Sequence, residues 1–270
     1  MFKAYLVLLS ASLALALPTG SSCANSPKAP ALPQTGGGKS DERACHRLKP
    51  PLTVQLTASN LPQPPEGSKL LHIALGFGIQ NYTCASVGAS PAATGALAML
   101  YDITNFYPGQ SSQSLSQKDW DSLTSRVLQT QDVPLNFNSS TEGRVEPDSP
   151  GASQTDPFPK DAPLDLECSK APFLGHHLFN SAGVPEFILD GGKINVLAGK
   201  DAGVDAPANA DKGPDGTGAV AWLKLSAKEG TVGDAKLVYR VSTAGGNSHG
   251  CENAAGQDST KYTAMYWFYT

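Results

Sequence analysis

Gly246-Asn247-Ser248-His249-Gly250 fits the GxSxG pattern of a nucleophile elbow, and it follows a predicted strand. The elbow works because a tight strand-to-helix turn exposes the serine Oγ and aims backbone N–H groups at an oxyanion. Here Cys251 to Gly256 is short and polar and leads into another strand, so the reading adopted is a Gly-rich hairpin loop tied down by Cys251. The alternative is a hydrolase or other carbohydrate-active enzyme with Ser248 as nucleophile and His176 or His177 as base. His176 and His177 are adjacent on a predicted strand, so their side chains leave opposite faces and cannot ligate one metal together. One is expected to pack or hydrogen-bond in the core and the other to meet solvent.

Other motifs carry less chemistry. Gly76-Phe77-Gly78 opens like a dinucleotide fingerprint, but the third glycine is missing and β-type sequence continues to Cys84. A pyrophosphate needs a helix N-terminus to sit on, so no nicotinamide cofactor is expected. Gly38-Lys39-Ser40 imitates the end of a phosphate loop, but Pro33 stands where its first glycine belongs. Asp201, Asp205, Asp211 and Asp215 line a Gly-rich loop and could offer oxygens to calcium. They miss the EF-hand register, and a solvated acidic loop is the reading adopted. No metal and no cofactor is expected. Tyr262, Tyr266, Trp267, Phe268 and Tyr269 could stack on sugars if exposed, whereas an apolar strand favours core placement.

The elements that must position these groups read as short strands. Apolar runs cover Leu52–Thr57, Leu70–Cys84, Ala96–Phe106, His176–Phe179, Glu186–Leu189, Lys193–Ala198, Ala219–Leu225, Lys236–Val241 and Tyr262–Tyr269, with turn residues between them. One helix is expected after Ser116, which precedes Asp119 at capping-box spacing and is followed by Trp120, Leu123 and Val127 on one face. It lies in an insertion over roughly 107–170, whose second half is rich in Pro, Ser and Asp and reads as a mobile loop. The expected fold is all-β, a mainly antiparallel β-sandwich or open barrel over 51–270 with one short helical insertion.

The compartment is legible at the N-terminus. Met1-Phe2-Lys3 precedes an apolar run from Ala4 to Leu15, and Ala14-Leu15-Ala16 suits a signal peptidase, with cleavage after Ala16 or, second, Gly20. Neither point creates the N-terminal histidine of a copper brace. Residues 17–50 read as a Pro/Gly/Ser-rich flexible leader. The Ala4–Leu15 run falls short of the roughly 20 apolar residues of a bilayer span, and no later run is long and apolar enough. The protein is expected to be secreted, extracellular and without a membrane span. Five cysteines (Cys23, Cys45, Cys84, Cys168, Cys251) with no CxxC pair suggest two disulfides and one spare thiol. Asn81-Tyr82-Thr83 and Asn138-Ser139-Ser140 are N-glycosylation sequons. A net charge of −4 excludes a nucleic-acid binder held by a basic field, and 40% hydrophobic residues exclude a wholly disordered chain.

Seven ordered motifs carry a family resemblance: Leu75-Gly76-Phe77-Gly78-Ile79-Gln80-Asn81-Tyr82-Thr83-Cys84, Gly95-Ala96 with Leu100-Tyr101-Asp102-Ile103, Gly175-His176-His177-Leu178-Phe179, Pro185-Glu186-Phe187, Gly218 through Leu225, Val238 through Gly246, and Tyr262 through Tyr269. The first resembles the "GVGTQNYTC" strand of a secreted fungal and bacterial family, domain of unknown function 3455. The resemblance implies secretion, one domain and no established activity. Some members carry the label malate dehydrogenase, which these residues do not support. It also implies a Cys84–Cys251 disulfide. Where many relatives have a cysteine after the "LYDI" strand this chain has Thr104, so Cys45 would pair with Cys168 and leave Cys23 free. The function expected is a non-catalytic cell-surface, cell-wall or polymer-binding module with a glycan as possible partner. The other readings are the hydrolase above and a secreted host-directed effector. Oligomeric state is left open.

Overall fold

The computed structural model describes residues 61–166 and 169–270. The signal peptide, the leader, the Leu52–Thr57 strand, Gly38-Lys39-Ser40 and the cysteines Cys23, Cys45 and Cys168 lie outside the described residues.

The strands are β1 (Leu70–Cys84), β2 (Ala92–Asp102), β3 (Leu164–Asp165), β4 (Lys170–Ala171), β5 (Phe173–Phe179), β6 (Pro185–Leu189), β7 (Ile194–Val204), β8 (Trp222–Ala227), β9 (Leu237–Gly245) and β10 (Gly256–Tyr269). Eight of them close an antiparallel barrel in the order β1-β10-β9-β8-β7-β6-β5-β2, and β3 and β4 pair separately. The expected all-β, mainly antiparallel fold is present, and it takes the form of a closed barrel where a sandwich or open barrel was expected. Closure follows because β1 pairs on one side with β2 and on the other with β10, Leu70 lying opposite Tyr269 and Cys84 opposite Gly256. A closed sheet leaves no unpaired edge.

Alternation along each strand sorts the side chains into two cores. One set comes from all eight barrel strands and so fills the lumen, among them Ala74, Leu100, Phe187, Leu189, Val196, Leu225, Val238, Tyr262, Tyr266 and Phe268. An eight-stranded barrel has an interior just wide enough for side chains to fill. Large rings on β10 are accommodated by small residues on β1. A Cβ on Gly76 would meet Tyr266 Cε2 at 2.5 Å, and one on Gly78 would meet the Leu97 carbonyl oxygen at 1.9 Å. These two glycines therefore serve barrel packing in mid-strand.

The second core lies on the outer wall. Ile73, Leu75, Phe77 and Ile79 of β1 join Tyr239 and Val241 of β9 and Met265, Trp267 and Tyr269 of β10. They pack beneath the insertion, whose helices are α1 (Gln117–Asp121) and α2 (Leu123–Thr130). Ser116 caps α1 by accepting from Asp119 N at 3.2 Å, as the spacing predicts. The one expected helix is split at Ser122, whose Oγ donates back to the Lys118 carbonyl at 3.0 Å. Trp120, Leu123 and Val127 are still buried together. Trp120, Trp267 and Tyr107 meet edge to face, with centroids 5.1–6.2 Å apart. Such pairs contribute roughly 0.5–1.5 kcal/mol each beyond buried area. β1 and β10 are thus covered on both faces, which explains their nearly unbroken apolar runs. The aromatic strand is core on both sides, and none of its rings is open for sugar stacking.

Candidate functional site

At the disulfide end of the barrel the ends of β1, β2 and β10 face away from the lumen toward the loop 138–157. Asn81 lies opposite Ser259, and Thr83 opposite Gln257, so these four share one face. The loop is tied to that wall by backbone pairing: Val145 N donates to the Gln257 carbonyl at 2.9 Å and Gln257 N to the Gly143 carbonyl at 3.0 Å. Its own two arms are held together by Asn138 N donating to the Gly151 carbonyl at 2.8 Å and Ser153 N to the Asn136 carbonyl at 2.7 Å. The stretch expected to be a mobile loop therefore forms a hydrogen-bonded wall. Between wall and loop lies a cleft of about 520 Å³.

Amides, hydroxyls and one guanidinium dominate its lining: Asn81, Thr94, Asn138, Arg144, Gln154 and Gln257. Asn81 accepts from Ser259 Oγ at 2.8 Å through Oδ1. Asn138 Oδ1 accepts from Ser140 N at 3.0 Å. The volume is that of a small-molecule site, but such sites are mostly apolar and this one is not. Its groups suit a ligand rich in hydroxyls. Asp258 also lines the cleft, yet its side chain is fully buried, so it contributes backbone there.

The Asp258 carboxylate instead organises the β9–β10 loop. It accepts from Ser248 Oγ at 2.6 Å, from His249 N at 2.9 Å and, at its other oxygen, lies 2.7 Å from His249 Nδ1. Ser248 Oγ in turn accepts from Gly250 N at 3.1 Å. In a catalytic triad the imidazole stands between carboxylate and hydroxyl. Here serine and histidine converge on the same carboxylate. The disulfide Cys84–Cys251, buried at both ends, fastens this loop to the end of β1.

A model of the family described as "Protein of unknown function (DUF3455)" matches residues 64–270. The chain belongs to this family. The DUF3455 match spans the whole barrel, the insertion, the cleft and the disulfide. No curated protein and no solved structure matches the chain.

Within this DUF3455 domain the residues singled out in the sequence are dispersed. His177 points into the lumen, stacks on Phe187 with centroids 4.1 Å apart, and its Nδ1 lies 2.9 Å from the Glu186 carbonyl oxygen. Burial pushes its pKa down to about 4, with nearby Arg240 acting the same way. His176 leaves the opposite face and is half-buried between Phe158 and Phe173, 3.7 Å from Asp161, rather than open to solvent. No hydrogen bond joins Ser248 to either histidine among the described residues. The expected Cys84–Cys251 disulfide is present. Asn81 and Asn138, far apart in sequence, line one cleft. Of the four aspartates expected to line one loop, Asp201 lies instead on β7 and accepts from Ser226 of β8, while Asp211 accepts from Ser125 and from Gln129 of α2. No group of three or more His, Cys, Asp or Glu is placed to hold a metal among the described residues.

Sequence reasoning missed three groups. Arg144 and Gln257 carry no motif. Arg240 sits inside the "VYRVS" strand, where it reads as an exposed residue between apolar ones. In the structure it lies on the lumen face, opposite Tyr266, and donates twice to the Ala221 carbonyl, from Nε at 3.1 Å and Nη2 at 2.8 Å. Tyr262 and Tyr266 share a hydroxyl contact of 3.0 Å nearby. These lumen groups bond to protein, as buried polar groups must. No helix among the described residues is long and apolar enough to cross a membrane.

Proposed function

We propose that this protein is a secreted, non-catalytic module that binds a glycan or cell-wall polymer through the cleft between β1, β2, β10 and the loop 138–157. The observation that carries the reading is the lining of that 520 Å³ space, in which amide and hydroxyl side chains from both walls face one another. Sugars offer paired hydroxyls as donors and acceptors, and planar amides satisfy both roles at once. Binding without catalysis is supported by Ser248, whose hydroxyl is taken up by Asp258. Export is supported by the buried Cys84–Cys251 bond, since such bonds persist in oxidising compartments. Exported chains meet the glycosylation machinery, and a sugar on Asn81 or Asn138 would sit in the cleft itself. Binding is therefore measured on protein freed of N-glycans.

The test is a polysaccharide and oligosaccharide panel read by pull-down and calorimetry, with Thr94→Trp as control. Thr94 is exposed on β2, so an indole there fills the cleft without entering either core. Binding that Thr94→Trp abolishes, with an unchanged melting temperature, supports the reading. Binding that survives the indole, or no binding to any glycan, overturns it.

A further inference from the structure

Arg144 is held more firmly than a surface arginine needs to be. Its Nε donates to the Ser140 carbonyl at 3.1 Å. The backbone on both sides of it is zipped to Gln257. Its guanidinium lies against Gly151, where the position of a Cβ would be 2.5 Å from Nη2. Despite that fixing, Nη1 is buried and has no acceptor from the protein. No carboxylate lies within ion-pairing distance of Arg144 among the described residues. Arg144 is thus a cation on the wall of the cleft, tethered to the Ser140 carbonyl and without a carboxylate partner among the described residues. A buried donor left unsatisfied is costly, more so when charged, and a planar guanidinium matches a carboxylate through two parallel bonds.

We infer that the ligand of this cleft carries a carboxylate, as a uronic-acid sugar unit does, and that Arg144 receives it while the amides around it take the hydroxyls. This rests on the cleft being a polyol site. The charges facing the site agree with a single acid group. Arg144 is the one cationic side chain of the lining, and Asp258, the one acidic residue, keeps its carboxylate fully buried among three donors. With a net charge of −4 the chain has no broad positive field to collect a polyanion. Recognition would then depend on contact at this arginine.

The experiment compares tetragalacturonate with the same oligomer fully methyl-esterified, and with a neutral glucose tetramer, by calorimetry on protein freed of N-glycans. The free acid is expected to bind about tenfold or more tightly than its ester. Arg144→Gln is expected to erase that preference, and Arg144→Lys to keep part of it, since charge survives but the fork does not. Equal binding of acid and ester by the unaltered protein overturns the inference while leaving the polyol reading standing, and needs no variant to fold. An acid preference that persists in a folded Arg144→Gln protein also overturns it. Binding of none of the three probes overturns the inference, and the wider glycan panel then decides the polyol reading.

Discussion

Ser248 donates its hydroxyl to Asp258 at 2.6 Å and receives the Gly250 N–H at 3.1 Å, so both sides of this oxygen are engaged in holding its own loop. Ser248→Ala removes a donor from a buried carboxylate and an acceptor from a backbone amide. A loss of about 1–3 kcal/mol in unfolding free energy is expected, read from urea denaturation. Hydrolysis of a generic ester, if any preparation shows it, should not change. A variant of full stability that loses such turnover would return Ser248 to the role of nucleophile.

The Cys84–Cys251 bond closes a long loop, with 167 residues separating the two cysteines. The loop-entropy account of cross-links gives about 5 kcal/mol for a span of this order. Replacing both cysteines by serine, or reducing the bond, should therefore move the denaturation midpoint far down. The β9–β10 loop should become the first site of proteolysis. Equal midpoints for oxidised and reduced protein would show that Asp258 alone holds this end of the barrel.

Two histidines give stability opposite slopes with pH. His72 lies between carboxylates, Nδ1 3.3 Å from Asp102 and Nε2 3.3 Å from Asp190. The Asp102 hydrogen bond is the main cause that raises its pKa. Its contribution is full below about pH 6.5, the unfolded value, and is lost as pH rises through the higher folded value. His177 is neutral in the lumen with a pKa of about 4, so its contribution is present above about pH 6.5 and is lost as pH falls toward 4. The expected curve of denaturation midpoint against pH declines on both sides of about 6.5. His72→Gln should flatten the alkaline arm only. An unchanged alkaline arm in that variant would disconnect His72 from it.

Gly78 faces the barrel lumen, and a Cβ there would stand 1.9 Å from the Leu97 carbonyl oxygen. Backbone cannot yield as a flexible side chain can, so Gly78→Ala should cost about 3 kcal/mol or more. Gly76→Ala meets the Tyr266 ring instead, at 2.5 Å, and should be milder because the ring can shift. Thermal melts of the two variants give the ranking, and the reverse order would contradict this packing.

Much of the β structure could be read along the chain. β1 runs over Leu70–Cys84 as its unbroken apolar stretch predicts, because both its faces are buried. β10 begins at Gly256, earlier than the aromatic run at Tyr262, since its first residues are polar and face the cleft and the loop anchored on Asp258. β2 likewise starts at exposed Ala92, ahead of any apolar alternation. The cleft could not be read in this way. Arg144 looks like any loop arginine until the backbone pairing with Gln257 and the Ser140 carbonyl tether its guanidinium.

The order of amino acids by itself determined which segments extend, which side chains alternate, where a serine starts a helix, and that cysteines could cross-link. Those properties depend on neighbours a few residues away. Whether the sheet closes, which rings face the lumen, and which of Ser248, His176, His177 and Arg144 meet a partner were decided only when Leu70 came to lie opposite Tyr269 and residues 143–145 beside Gln257. Such contacts depend on chain ends and loops distant in sequence coming together, and no local pattern encodes that choice.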